Sequence, residues 1–300
     1  PPPSRGLCAG GLYPPASTGP SMEEVDELSM PPHQVALSHV LGRVREREAV
    51  SSAYIAEVLH RSGSEISSYR AAMECVRLHA RVAIHFHPDR LGTKRVPVAQ
   101  ALLQEGVYRN QFETGLSTGG LSAFHGGARD GWERSLFGGA YHAGGVSDSA
   151  RPKYGAPRKE PADLPTGRVL DTQIEAQVHG PVELEKDVEL LVADPAFAHT
   201  GTGEILRAIA ARYGLPLRWH RGFRLSAVDV PDDFRGPAMP RLARRIAGEN
   251  GMIDAAAIGN AEASLHHHPE AWRDWGSREE VLQHFKQLWH VLVHYGRGDE

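Results

Sequence analysis

Apolar positions recur at helical spacing through the first quarter of the chain. Between residues 31 and 80, three stretches place apolar side chains three and four residues apart, as on one face of a helix. The first two stretches contain Leu37, Val40, Leu41 and Val44, then Tyr54, Ile55, Val58 and Leu59. The third contains Ile66, Tyr69, Met73 and Val76, with Ser64 as its N-cap. The pattern predicts a helical subdomain of three helices over residues 31–80.

After residue 80, strand and helix patterns are mixed. "RVAIHF" and "QIEAQVHG" are typical of strands, and "PLRWHRGFRLS" is typical of an exposed strand or hairpin. Helices are expected in "PVAQALLQEG", closed by Gly106, in "TGEILRAIAARYGL", stopped by Gly214, and in two segments between residues 239 and 265. A last helix begins at a capping box formed by Ser277 and Glu280. We therefore expect a mixed α/β protein with a small, split mixed sheet, an N-terminal helical subdomain and C-terminal helices.

Two regions have unusual composition. Residues 1–30 are rich in Pro, Gly and Ser and are expected to form a disordered leader. Residues 106–157 contain about a dozen glycines together with aromatic residues, which favours ordered loops that approach a ligand closely. The predicted organisation is a leader (1–30), a helical subdomain (31–80) and an α/β domain of catalytic type (81–300), with the glycine-rich loop at 106–157.

Composition limits the class of partner and the compartment. The chain has 300 residues, a net charge of −4 and 23% charged residues, so we expect neither nucleic acid nor membrane as a partner. It has two cysteines, Cys8 and Cys75, of which Cys75 is expected in a core. Without a disulfide framework or an apolar run of about 18 residues, a cytoplasmic protein is expected.

One candidate site is a short histidine cluster in "IHFHPDR". His85 and His87 would share one face of a strand, with Asp89 following, a spacing that suits a divalent metal ion. A metal-dependent hydrolase is therefore one hypothesis. The chain lacks the regular βα units of a barrel that would supply the remaining ligands, so a bound metal is not favoured.

A second candidate site combines residues from three segments. Arg90 ends the first strand pattern, Ser117 and Thr118 lie in "LSTGG", and Glu175 lies in "QIEAQVHG". This order matches the requirements of NAD-dependent ADP-ribosyl transfer. Arginine binds phosphate or ribose oxygens, and a carboxylate stabilises the cationic ribose as nicotinamide leaves. The catalytic candidates are Glu175, Arg90 and Ser117.

Further residues would bind the cofactor NAD, which acts as a substrate. Arg109 competes with Arg90 for the phosphate role, and an aromatic side chain such as Tyr154 could stack on nicotinamide. The complete set of candidate NAD-binding residues is Arg90, Arg109, Ser117, Thr118, Gly119 and Tyr154. The partners are then a small-molecule dinucleotide and a possible protein acceptor. A non-catalytic ligand-binding protein is the third hypothesis.

Several strings together resemble an uncharacterised family of bacterial proteins, known mainly as a domain of unknown function. The strings are "IHFHPDR", "YRNQFETGLSTGGL", "GGARDGWERSLFGGAYH", "RPKYGA", "IEAQVHGPV" and "DDFRGPAMP". The resemblance spans roughly Arg81 to Gly296 and implies kinship but no activity. The similarity of this family to ADP-ribosyltransferases rests on the order of the motifs alone and is an analogy.

Overall fold

The computed structural model of the chain describes residues 30–116, 123–158 and 175–298. Residues 1–29 of the predicted leader lie outside this part, and so do Ser117, Thr118 and Gly119. In the described residues, no helix is long and apolar enough to cross a membrane. The structure is a mixture of helices and small sheets, and the predicted fold class is confirmed.

Two helices form the segment where three were expected. Helix α1 spans Pro32–Ser62 and helix α2 spans Ile66–His79. The first two apolar stripes share α1, because the stretch between them consists mainly of Arg, Glu and Ala, which favour helix. Gly63, with φ of 64°, follows the end of α1. Only Ala36 is buried in the two helices, and Cys75 is exposed on α2 rather than in a core.

Three strands form an antiparallel sheet in the order β1-β2-β3. Strand β1 spans Arg81–Ile84, β2 spans Lys153–Arg158 and β3 spans Ala176–Val178. β1 and β2 approach closely at Gly155, where a Cβ would lie 2.5 Å from the carbonyl oxygen of Ala83. Glycine is therefore required at this point of the sheet.

The glycine-rich region contains short helices rather than only loops. Helix α3 (Val98–Glu105) ends just before this region, whereas α4 (Gln111–Thr114) and α5 (Ala128–Leu136) lie within it. Phe137 and Tyr141 follow α5, are buried, and pack with the N-terminal part of α1. Phe137 and Tyr141 thus belong to a core, whereas Phe124 and Trp132 of the same region are exposed.

A parallel strand pair follows the sheet. The next elements are α6 (Leu184–Asp187), β4 (Leu191–Ala193), α7 (Gly201–Arg212), β5 (Leu217–Trp219), β6 (Leu225–Ser226) and β7 (Met252–Ile253). α7 connects β4 to β5, which run parallel and form a βαβ unit. The segment "PLRWHRGFRLS", expected as an exposed strand or a hairpin, forms strands β5 and β6, but these pair with β4 and β7 and not with each other.

The C-terminal helices enclose the largest apolar core. Helix α8 spans Ala238–Ile246, α9 spans Ala255–His267 and α10 spans Arg278–Tyr295. The predicted capping box is present at the start of α10, where Ser277 Oγ accepts from the Glu280 amide and the Glu280 carboxylate accepts from the Ser277 amide. Side chains buried in this core include Leu242, Phe285, Leu288 and Leu292.

Candidate functional site

A pocket of about 200 Å³ opens beside the end of β1, between the loop that follows β1, helices α3 and α4, and the start of β2. Four cationic side chains line it: Arg90, Lys94, Arg109 and Lys153. The other charged or titratable residues of its lining are Glu105, Glu113, His85, His87, Tyr108 and Tyr154. We call it the basic pocket. Leu116, the last described residue before Ser117, also lines it.

Arg90 is held in place by a distant helix. Its Nε donates to Oε1 of Glu262 on α9 at 2.9 Å, and both side chains are largely buried. Lys286 on α10 lies close enough to Arg90 for electrostatic repulsion. Burial and the charge of Arg90 together lower the pKa of Lys286 to about 8. Lys286 lies outside the pocket lining, and Glu262 offsets the charge of Arg90.

Arg109 is fixed by carboxylates from both neighbouring helices. Its Nε lies 2.5 Å from Glu105 on α3, and its Nη1 donates to Glu113 on α4 at 2.7 Å. Glu113 also completes the capping box with Asn110 at the start of α4. The guanidinium is therefore oriented by the two helices but already paired on two sides.

Tyr154 forms the wall of the pocket on β2 and is held by α5. Its hydroxyl donates to Oε1 of Glu133 at 2.6 Å, and the Arg129 guanidinium lies over its ring at 3.7 Å from the centroid. Burial, followed by the negative charge of Glu133, raises the pKa of Tyr154. The phenol is therefore neutral at physiological pH and fixed in orientation.

Glu175 lies next to this tyrosine and outside the lining of the basic pocket. Tyr154 pairs with Gln177 across β2 and β3, so their side chains share a face of the sheet. Glu175 precedes Gln177 by two residues and accepts from its Nε2 at 3.2 Å, as expected for the same face. Arg129 Nη2 lies 3.8 Å from Glu175 Oε2, and thus connects Glu175 with the ring of Tyr154. The Glu175 side chain is 43% exposed and accessible to a ligand.

A buried network of ion pairs holds α5 in place next to β2. Arg151, 2% exposed, contacts Asp130 at 2.7 Å and Glu133 at 3.0 Å. Its guanidinium also lies over the ring of Phe112 at 3.9 Å. Burial opposes ionisation of Asp130, but the Gly126 amide, Arg151 and a neighbouring histidine hold its pKa well below the usual range. Arg151 therefore fixes the two acidic residues of α5, and through Glu133 it fixes Tyr154.

The two histidines of "IHFHPDR" do not share a strand face, because β1 ends at Ile84. His87 packs against Trp289 on α10 at 5.0 Å between ring centroids, and burial lowers its pKa to about 3. Burial raises the pKa of Asp89 to about 6. Asp89 packs directly on α9, where a Cβ at Gly259 would lie 1.4 Å from its Oδ2.

The metal hypothesis needs at least three converging ligands. Across residues 30–116, 123–158 and 175–298, no three His, Cys, Asp or Glu side chains are placed to hold a metal ion. His85 and His87 both line the basic pocket, but His87 also packs on α10 and Asp89 packs on α9. The residues of the cluster thus support the loop after β1 on two sides.

Another His–Asp pair lies at the carboxyl ends of the parallel strands. Asp194 follows β4 and His220 follows β5, with 3.7 Å between Asp194 Oδ2 and His220 Nε2. The Gly222 amide donates to His220 Nδ1 at 2.8 Å, which leaves the proton on Nε2, facing Asp194. Burial lowers the pKa of His220 to about 4 and raises that of Asp194 to about 6. Nδ1 of His220 is therefore held by a hydrogen bond, whereas the 3.7 Å between Nε2 and Asp194 Oδ2 is longer than a hydrogen bond.

Sequence reasoning missed the residues that link the site together. Arg129 and Glu133 are four residues apart on α5, and Glu262 lies on α9. The spacing of Arg129 and Glu133 in "ARDGWERSL" was a usable signal, since residues i and i+4 share a helix face. The surrounding glycines favoured a loop instead. No local signal pointed to Glu262, whose role depends on packing of distant segments.

Comparisons with known proteins identify a family. No curated protein and no solved structure matches the chain. The family model described as a protein of unknown function, DUF3626, matches residues 81–163 and 159–295. These two stretches contain β1 to α10, the basic pocket and Glu175. The resemblance drawn from the motifs is therefore confirmed, and the chain belongs to the DUF3626 family.

Proposed function

We propose that the protein cleaves NAD⁺ and transfers ADP-ribose to an acceptor, or to water as an NAD⁺ glycohydrolase. The bond between nicotinamide and ribose breaks, and nicotinamide leaves with the bonding electron pair. The acceptor then forms a bond to the same ribose carbon and loses its proton to solvent. The protein has to bind the dinucleotide, orient nicotinamide and stabilise positive charge on the ribose.

The arrangement of Glu175, Arg129 and Tyr154 carries this proposal. An accessible carboxylate lies beside an aromatic ring at the wall of a basic pocket, with Arg129 in contact with both. Glu175 is suited to accept a hydrogen bond from a ribose hydroxyl and to stabilise the cationic ribose. Tyr154 offers an aromatic surface for nicotinamide.

The basic pocket suits the anionic part of the same ligand. Arg90, Lys94, Arg109 and Lys153 place four cations around it, against two carboxylates of the lining and Glu262, which pairs with Arg90. At about 200 Å³ it is smaller than the ~300–1,000 Å³ of most small-molecule sites. It therefore accommodates one end of a dinucleotide, and the remainder would lie along the open side next to Glu175. A cytoplasmic location, where NAD⁺ is available, belongs to the same proposal.

The test is nicotinamide release from NAD⁺ by the purified full-length protein, measured by chromatography, with intact mass to detect attached ADP-ribose. Glu175→Gln keeps the shape of the side chain and removes its charge. We expect the rate to fall by at least ~10²-fold, because charge stabilisation in the transition state is lost. Glu189→Gln is the matched control, since Glu189 is an exposed glutamate paired with Arg81. Its rate should equal that of the wild type.

Other outcomes assign other functions. Equal rates for Glu175→Gln and wild type would contradict the proposal. A higher melting temperature with NAD⁺ but no turnover would indicate a binding protein. Stoichiometric metal that is lost in His85→Ala, with activity abolished by chelation, would indicate a metal-dependent hydrolase instead.

A further inference from the structure

Helix α1 exposes most of its apolar side chains. Its N-terminal part packs on the body of the protein through Val35, Ala36 and Val40, next to Phe137 and Tyr141. Beyond this contact the helix continues to Ser62 without a buried residue, and α2 does not pack along it. The exposed apolar side chains of α1 are Leu37, Leu41, Val44, Val50, Tyr54 and Val58. A soluble protein rarely leaves such a surface without a partner.

The spacing on α1 is that of a coiled-coil seam. Steps of four and three residues alternate without interruption over eight positions. These positions are Leu37, Leu41, Val44, Glu48, Ser51, Ile55, Val58 and Ser62. Such a 3.5-residue repeat keeps one side of a helix turned towards a partner helix. The pattern is regular, but Glu48 and Ser51 in its middle and Ser62 at its end are polar.

This seam is symmetric about its centre, between residues 49 and 50. Reversing the helix direction places Leu41 opposite Val58, Val44 opposite Ile55, and Glu48 opposite Ser51. We propose that α1 pairs with α1 of a second copy of this chain, as an antiparallel two-helix contact around a two-fold axis. Every apolar seam position from 41 to 58 then meets an apolar position. Such a self-complementary surface is what a two-fold dimer requires.

Residues flanking the seam are complementary in the same register. Arg47 lies beside the seam and faces Tyr54 of the second copy, which permits a cation–π contact twice in the dimer. Arg47 also lies about four residues, or ~6 Å along the helix axis, from Glu48 of the second copy, so opposite charges come near each other at the polar centre. A polar layer in an apolar seam fixes register and orientation at some cost in stability. The dimer is therefore specified as antiparallel.

The apolar seam of α1 is suited to a second copy of the chain rather than to a membrane surface. Residues 43–48 read "RVRERE", so anionic and cationic side chains alternate along the helix. A membrane-surface helix would instead have a predominantly basic polar face. The seam from residue 41 to 58 is about 27 Å long, enough for five turns of contact. The seam lies before residue 81 and thus outside the stretches matched by the family model.

The first experiment is sedimentation velocity of the full-length protein over a range of concentrations. We expect a reversible dimer for the wild type and at least a ~10-fold higher dimer dissociation constant for Val44→Glu, which places a charge in the seam. Val50→Glu is the matched control. Val50 is 74% exposed and lies on the side of α1 away from the seam. A monomeric wild type, or equal dissociation constants for the two variants, would overturn the proposal.

Cross-linking then tests the direction of the helices without relying on a destabilising variant. In a background of Cys8→Ser and Cys75→Ser, one chain carries Leu41→Cys and a differently tagged chain carries Val58→Cys. A short bismaleimide should join the two kinds of chain in a mixture and should not join either kind to itself. Cross-links between two Leu41→Cys chains would indicate a parallel pair and would contradict the inference. The absence of any cross-link would contradict it as well.

Discussion

The sheet region and the C-terminal helices are stabilised in different ways. Around β2 and α5, the buried groups include charges: Arg151, Glu133 and Asp130 are each at most 4% exposed. Around α8 to α10, the buried side chains are apolar, with Phe285 and Leu288 at the centre. One region thus depends on ion pairs of defined geometry, and the other on burial of apolar surface.

The difference indicates where function resides. A buried ion pair contributes little net stability over apolar residues of the same size, because desolvating the charges is costly. The C-terminal helices show that this chain can form an apolar core. Charges retained beneath Tyr154 and Glu175 therefore favour a role in fixing those side chains. Loss of a single charge should be severe in the first region, and a change of shape should be mild in the second.

The largest effect is expected from Arg151→Met. The variant keeps much of the side-chain length but leaves Asp130 and Glu133 buried without their cation. We expect the free energy of unfolding to fall by about 3–5 kcal/mol, as measured by urea denaturation. Arg81→Met is the control, because the ion pair of Arg81 with Glu189 is exposed and should be worth less than about 1 kcal/mol. If the two variants lost equal free energy of unfolding, the buried ion pairs would be no more important than an exposed one, and the distinction between the two regions would not hold.

An intermediate effect concerns His87, where the two regions meet. Its pKa is lowered to about 3 in the folded protein, from 6.5, by burial and then by Arg90, His290, His85 and Lys286. The unfolded chain therefore binds a proton below pH 6.5 that the folded chain excludes, and stability is lost as the pH falls. The loss from this residue should be about 2 kcal/mol between pH 7.5 and pH 5.

Urea denaturation at several pH values checks this expectation. His87→Gln should lower stability at pH 7.5 and reduce the pH dependence by the same 2 kcal/mol. His267→Gln is the control, because His267 lies near the end of α9 and has no place in the cluster around His87. A pH dependence that is unchanged by His87→Gln would mean that His87 titrates normally in the folded protein.

The smallest effect is expected from Leu288→Met in the apolar core. Leu288 is fully buried, but methionine has a similar volume and can adjust its shape. The free energy of unfolding should fall by less than about 1.5 kcal/mol in urea denaturation. A loss as large as that of Arg151→Met would show that the C-terminal core also depends on exact geometry.

Local signals in the sequence predicted several helix ends. α3 ends before Gly106, α10 begins at the Ser277 capping box, and Gly214 follows α7, because these signals act within one turn. The parallel pairing of β4 with β5 was not predicted, since it joins segments separated by a helix. The glycines around α5 favour a loop in the sequence pattern, whereas the structure has a helix there.

The candidate site was predictable only in part, for a similar reason. Residue type and order predict a binding role for Arg90, Arg109 and Tyr154, and all three line the basic pocket. Glu175 lies outside that lining and is connected to it by Arg129, which contacts both Glu175 and Tyr154. Contacts of this kind come from tertiary packing of α5 on the sheet, and no short motif encodes them.

The contacts of the loop after β1 also have a genetic consequence. Asp89 packs on Gly259, and Arg90 forms an ion pair with Glu262. Glu262 is 172 positions away from Arg90 along the chain. A premature stop codon just before α9 would leave every pocket-lining residue in the product. It would nevertheless remove both supports of the loop at once. Late truncations of the gene should therefore be as damaging to the pocket as changes within the "HPDR" motif itself.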